Sequence, residues 1–316
     1  MNSNRIAMRG LWASCLCSVL LVTTAAQADG VLVRTQQIPA ASRTALAVRI
    51  QAAHKQHPEW FNGVRQVRAR AAELDAHKRG RLAPLSPLFK ALGRNALLPM
   101  VEMMAFEATP RGDLNDTAWR ALQGGLLEAV GDLRDPSVRS VLVAVLDGPE
   151  TDEVVVRAAA SALGKLADTS DADKLIALAR TPGAKHKAVL AGMGDCRRSA
   201  VATALGDMLA AHPDEPTARV IVRSLGSVGS AWAWKTPDVA THADEQAAVR
   251  ATAARALVSA FSGYEGDVRT AASNALMMVD DPSTPSLIAT ARQGASAPLA
   301  AELDRLAERF ARNPTR

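Results

Sequence analysis

The stretch VVVRAAASALGKLADTSDADKLIALA, Val154 to Ala179, decides the fold. It carries an Arg near a helix start, an Ala-rich run to Leu163, an Asp-containing turn, and a second apolar run with Leu175-Ile176. The same phrase returns as DVRTAASNALMMVDDPSTPSLIATA from Asp267 to Ala291, with Leu276 followed 11 residues later by Leu287-Ile288. Two short helices joined by such a turn cannot bury their apolar stripes alone. Stacking on a neighbouring pair buries them, which is the physical logic of a helical solenoid.

Working outward, Val138 and Leu146, Val155 and Leu163, Val249 and Leu257, and Val268 and Leu276 are all eight residues apart. Eight residues are just over two helical turns, so each Val shares a face with its Leu. Weaker copies run from Lys187 to Gly194 and from Arg219 to Gly226. Anchoring on Leu163, Met193, Leu225 and Leu257 gives steps of 30, 32 and 32, the length of a two-helix repeat. The next step, to Leu276, is only 19, which predicts a missing helix or a change of register.

These phrases resemble HEAT repeats, specifically the short Ala-rich bacterial kind also seen in phycocyanobilin lyase subunits. The resemblance covers Asp135 to Arg292 and leaves the segment from Leu85 open to the same reading. It implies an all-α fold, a right-handed solenoid of antiparallel helix pairs whose concave face contacts proteins. Its recurring residues are packing and turn residues, so it specifies a fold and does not carry the lyase chemistry to this chain.

Composition agrees with helices. Ala is abundant, aromatics are 3% of the 316 residues, and no sustained period-2 segment follows Val33. Ala has the best helix propensity and allows close helix approach. A β-sandwich would draw on Val, Thr and aromatics in alternation. We expect about 12 to 14 helices.

The N-terminus reads as a secretory signal. Arg5 and Arg9 precede an apolar stretch from Gly10 to Thr24, and Ala26-Gln27-Ala28 predicts cleavage between Ala28 and Asp29. The apolar core is short of the ~20 residues a membrane span needs. The predicted location is therefore the periplasm or the outside of the cell. Beyond the signal, 35 basic residues face 32 acidic ones, and Cys196 is the one cysteine left. Export argues against a nucleic-acid partner. The basic run His77 to Arg81 reads as solvated linker, or as a contact with an anionic envelope surface.

Residues 29–110 are expected to form a helical cap region and residues 111–316 the repeat domain. In the cap, Ser42 is the expected N-cap of a helix to Gln56, and Pro58 opens a second that continues to Lys78. Leu85–Leu92 and Ala96–Phe106 form a short pair, and Asp116 or Thr117 caps the next helix.

The candidate functional residues are few. Asp132, Asp135, Asp168, Asp171, Asp173, Asp280 and Asp281 sit between helices, where Asp caps free backbone N–H groups. His54, His57 and His77 read as a surface cluster rather than a metal site. No nucleotide, zinc-protease, hydrolase or calcium motif occurs. No catalytic residue, metal or cofactor is assigned. The irregular phrase GSVGSAWAWKTPDVATH, Gly226 to His242, interrupts the repeats as an insertion. It holds Trp232, Trp234 and Lys235, the candidate protein-contact residues, because solenoid insertions map to loops on the binding face. The competing expectation is that both Trp fold back as a lid.

Function leans to a non-catalytic exported scaffold or adaptor that binds another protein. An enzyme or chaperone-like factor related to cofactor-attachment lyases, and a structural spacer without a ligand, stay open.

Overall fold

The computed structural model describes residues 30–236 and 242–313. The predicted signal segment, residues 1–28, lies outside them, as do residues 237–241 of the insertion. Among the described residues the chain forms seventeen α-helical segments, five short 3₁₀ turns and no β-strand, more helices than the sequence pattern suggests. No described helix is long and apolar enough to cross a membrane.

A buried lead-in comes first. Val31, Val33 and Ile38 are buried, and the N–H groups of Val31, Leu32 and Val33 donate to the carbonyls of Met103 and Met104. Helices α1 (Ala40–Gln56), α2 (Pro58–Ala69), α3 (Ala71–Ala76), α4 (Leu85–Ala91) and α5 (Leu97–Ala105) follow. Helix α1 begins two residues before the expected Ser42 cap, directly after Pro39, whose fixed φ pre-sets the turn. Pro58 opens α2 as expected, but a tightened turn at Arg70 splits the expected helix into α2 and α3. Helix α6 (Asp116–Asp132) is capped by Asn115, whose Oδ1 accepts from Ala118 N–H, one residue before the expected cap.

The repeating part comprises α7 (Arg139–Asp147), α8 (Glu153–Leu166), α9 (Thr169–Arg180), α10 (His186–Gly192), α11 (Ser199–Ala210), α12 (Glu215–Val228), the short α13 (Ala231–Trp234), α14 (Gln246–Gly263), α15 (Gly266–Val279), α16 (Thr284–Gln293) and α17 (Ala297–Ala311). One ladder packs α4, α6, α8, α10, α12, α15 and α17 in succession. A second packs α9, α11, α14 and α16 alongside it. This is a helical-repeat packing, with each element buried by neighbours before and after it.

The 19-residue step has its explanation here. No helix is missing. Leu257 lies on α14 in the second ladder, whereas Leu163, Leu225 and Leu276 lie on α8, α12 and α15 in the first. All the paired Val and Leu anchors are buried, so both ladders show the same eight-residue spacing.

Two devices set the repeat. The turn after a first-ladder helix places a left-handed residue before an Asp: Arg134 (φ 51°), Ala167 (φ 58°) and Asp280 (φ 46°) precede Asp135, Asp168 and Asp281. Each Asp then accepts the backbone N–H two residues on, from Ser137, Ser170 and Ser283. The turn therefore places α6–α7 in the same series as α8–α9 and α15–α16. Arginines tie these turns to their neighbours: Arg134 links successive first-ladder helices by donating to Lys165 O at 2.6 Å, and Arg198 bridges the ladders by donating to Ala167 O at 2.8 Å. Arg250 donates to Val279 O at 3.1 Å, so all three satisfy carbonyls at helix C-termini, where the dipole favours cations.

The second device is close approach. Gly131, Gly164, Gly194 and Gly226 lie 33, 30 and 32 residues apart on the first ladder. A Cβ on them would meet Ala162, Cys196, Ser224 and Ala275 at 2.7 to 3.0 Å. A side chain would force the neighbouring backbone to shift at Gly131 and Gly164, and would press the neighbour back by a few tenths of an ångström at Gly194 and Gly226.

Candidate functional site

The insertion is built by the end of α12. Gly229 follows it against α14 and α15, since a Cβ there would lie 2.9 Å from Val279 Cγ2 and 3.0 Å from Ala253 Cβ. Helix α13 then packs on α15. Trp232 and Trp234 are two apart, so a helix splays them by about 200°. The structure accordingly separates them: Trp234 is 4% exposed and Trp232 60%. The Trp234 Nε1–H donates to Val228 O at 3.3 Å, satisfying the one polar atom that enters the core. Lys235 is exposed and holds its ammonium 4.8 Å from the Trp232 ring centroid. Neither sequence expectation describes this pair completely. One ring closes the core and the other faces solvent.

Met278 of α15, 45% exposed, stands beside Trp232. Together with Met277, Arg309, Arg312 and Asn313 they line a cavity of about 610 Å³. A second hollow of about 470 Å³, with Arg219, Arg223, Asp267 and Asn274 on its walls, shares Met278 with the first. Arg309 joins the two, donating to Ser273 Oγ at 2.6 Å and to Asn274 Oδ1 at 2.7 Å. Asn313 fixes the far wall by donating to Met277 O at 3.0 Å. The result is one groove over α15, bounded by α12, α13 and α17.

Its charge is one-sided. Arg219 is paired with Asp267 at 2.7 Å and Arg312 with Glu308 at 3.0 Å. Among the described residues, Arg223, Lys235 and Arg309 have no carboxylate partner within ion-pair distance. Met278, Arg223 and Arg309 escaped the sequence reading. A signal existed for Met278: two residues after the anchor Leu other copies carry the polar Lys165, Ser227 and Ser259, so an apolar residue there is out of pattern.

The other chemically interesting residues are occupied by structure. Cys196 is fully buried against Gly164, and burial pushes its thiol up to about 12, so it is held as an inert neutral thiol. His54 donates from Nε2 to Glu102 at 2.9 Å and stacks on Phe61, so it faces α5 rather than an exposed cluster. Burial raises the proton affinity of Glu102 above the ordinary carboxylate value, against the opposing pull of that His54 bond. His57 stacks on Trp60, and His77 Nδ1–H donates to Glu73 O. No group of three or more His, Cys, Asp and Glu side chains among the described residues is placed to hold a metal ion. Asp171 leaves the capping role expected of it: it is buried and bonded by Arg139 at 2.8 and 3.0 Å. Burial raises its proton affinity despite that pairing. A cleft of about 640 Å³ between α1 and α7 has Arg49, Ser137, Ser140 and Asp147 on its walls but no aromatic side chain.

The chain matches no protein-family model, no curated protein and no solved structure.

Proposed function

We propose that this protein is an exported, non-catalytic scaffold or adaptor that binds another protein through its helical-repeat surface, with the groove around Trp232 as the contact. One observation carries the reading. Only three large hydrophobic side chains among the described residues are exposed, Val48, Trp232 and Met278, and two of them line one groove. Scattered exposed hydrophobics need no explanation, but an exposed Trp beside an exposed Met in a concavity rimmed by Arg has the composition of an interface hot spot. Methionine adds an adaptable surface and Arg a planar donor fork.

The same reading takes the ladder to be a right-handed HEAT-like solenoid of the short Ala-rich type. The recurrent left-handed turn, the Asp cap and the glycine contacts support it. Within it, Trp232 and Lys235 are contact residues, and Trp234 holds α13 so that they face outward. Export rests on the sequence features of residues 1–28.

Affinity capture from an envelope extract tests the reading. The wild-type protein should retain a discrete partner that a Trp232→Ala variant with the same melting temperature does not. Recovery of identical proteins by both, or of none, would overturn it.

A further inference from the structure

We infer that the groove over α15 receives an extended, acidic peptide segment of the partner, anchored by one bulky apolar side chain between Trp232 and Met278. This rests on the protein-contact reading and adds the chemistry of what is bound.

Charge gives the sign. Arg223, Lys235 and Arg309 stand around the groove without carboxylate partners among the described residues, while its walls contribute one acid, Asp267, already paired with Arg219. A basic ligand would meet three cations that no carboxylate pairs, and a neutral one would gain nothing from their charge. Carboxylates meet them with charge-assisted hydrogen bonds, bidentate for Arg. Arg309 is oriented in advance by Ser273 and Asn274, so less side-chain freedom is lost when a carboxylate binds.

Shape gives the conformation. The large apolar side chains stand at the Trp232, Met277 and Met278 end, and beyond Met278 the apolar lining is only the small Ala271 and Ala275. The other end presents Arg219, Arg223, Ser227, Thr270 and Asn274. A bound amphipathic helix needs a continuous apolar strip with room for its i, i+3, i+4 and i+7 anchors, and beyond Met278 only Ala271 and Ala275 are apolar among Arg219, Arg223, Ser227, Thr270 and Asn274. An extended chain instead exposes backbone N–H and C=O groups along its length, which Ser227, Thr270 and Asn274 can partner. Length follows from the ladder. Packed helices lie about 8–10 Å apart, so crossing from α12 over α15 to α17 takes about 16–20 Å. At about 3.3 Å per residue that is five or six residues.

The test is selection from a displayed library of random dodecapeptides against the protein lacking residues 1–28, which precede the described fold. Enriched peptides should carry two or more Asp or Glu within about six positions of a single Leu, Phe, Met or Trp. A synthetic peptide of the enriched sequence should lose at least about tenfold in affinity for Trp232→Ala. It should lose several-fold for Arg223→Gln, a side chain with no structural partner among the described residues, and tenfold when its acids become amides. Circular dichroism melts on each variant separate binding loss from unfolding. Enriched peptides that need Trp232 but are neutral, basic or patterned as amphipathic helices would overturn the acidic, extended occupant and leave the protein-contact reading standing. No enrichment, or binding indifferent to Trp232→Ala, would overturn both.

Discussion

Gly131→Ala should destabilise the fold although alanine is the better helix former. Gly131 lies on α6, and a Cβ built there falls 2.7 Å from both Cα and Cβ of Ala162 on α8. Carbon atoms settle at about 3.5–4.0 Å, so the two helices would have to part by roughly 1 Å. The obstructing atoms belong to the backbone and its first side-chain carbon, which no rotamer change moves. Overpacking of this kind costs about 1–3 kcal/mol. Helix propensity returns up to about 1 kcal/mol. The contact is at the tight end of the range, so the net loss should be about 2 kcal/mol. Gly206→Ala on α11 is the control, because its Cβ would meet Ala256 Cβ at an ordinary 3.6 Å. There the propensity gain stands alone, and stability should rise by up to ~1 kcal/mol. For a protein of this size each kcal/mol moves the melting temperature by about 1.5–2 °C. Thermal melts followed by circular dichroism, with urea midpoints alongside, should show shifts of opposite sign. A Gly131→Ala protein that melts as high as Gly206→Ala would refute the close approach of α6 and α8.

The two tryptophans should separate cleanly: Trp234→Ala loses about 3–5 kcal/mol through the cavity it leaves, while Trp232→Ala stays within about 0.5 kcal/mol of wild type, both read from urea unfolding. Asp75, buried and bonded by Lys78, Asn115 and Thr117, responds to acid. Burial is the strongest single influence and pushes its carboxyl up, but the combined hydrogen bonds and the Lys78 charge hold it below the ordinary value of 3.8. The unfolded chain therefore takes up this proton first, so the stability from ionised Asp75 is complete above that value and is lost as pH falls through the lower folded one. Melting temperatures between about pH 5 and pH 2.5 should fall less steeply for Asp75→Asn than for wild type. Cys196 should resist maleimide labelling in the folded protein and label at once in denaturant; rapid labelling of the native state would contradict its burial and raised thiol.

The fold was legible where packing imposes a period. The Val–Leu spacing and the Asp-rich turns identified α8–α9 and α15–α16 directly, because buried faces constrain every residue along them. Register was harder. Leu257 and Leu276 both end the same eight-residue spacing, yet one belongs to α14 and the other to α15, and nothing in a buried leucine tells which ladder it serves. The glycine at 131 and the left-handed Arg134 carry the repeat back to α6, but an arginine gives no sign of positive φ. In the groove, the sequence offered Trp232 and Trp234 as contact residues together or as a lid together, and the split between a buried and an exposed ring came only from how α13 sits on α15. Arg309 could not be found at all, since it reaches the groove from α17 only once the ladder has stacked α17 on α15.

The central claim is that the groove at Trp232 touches a protein, and site-specific photocross-linking tests it most directly. A photoreactive phenylalanine derivative, which keeps a large aromatic side chain at the anchor, placed at Trp232 in producing cells should give a discrete heavier adduct on illumination. The same residue placed at Thr290, exposed on α16 in the other ladder, should not. Absence of an adduct at Trp232, or an identical one from Thr290, would contradict the account.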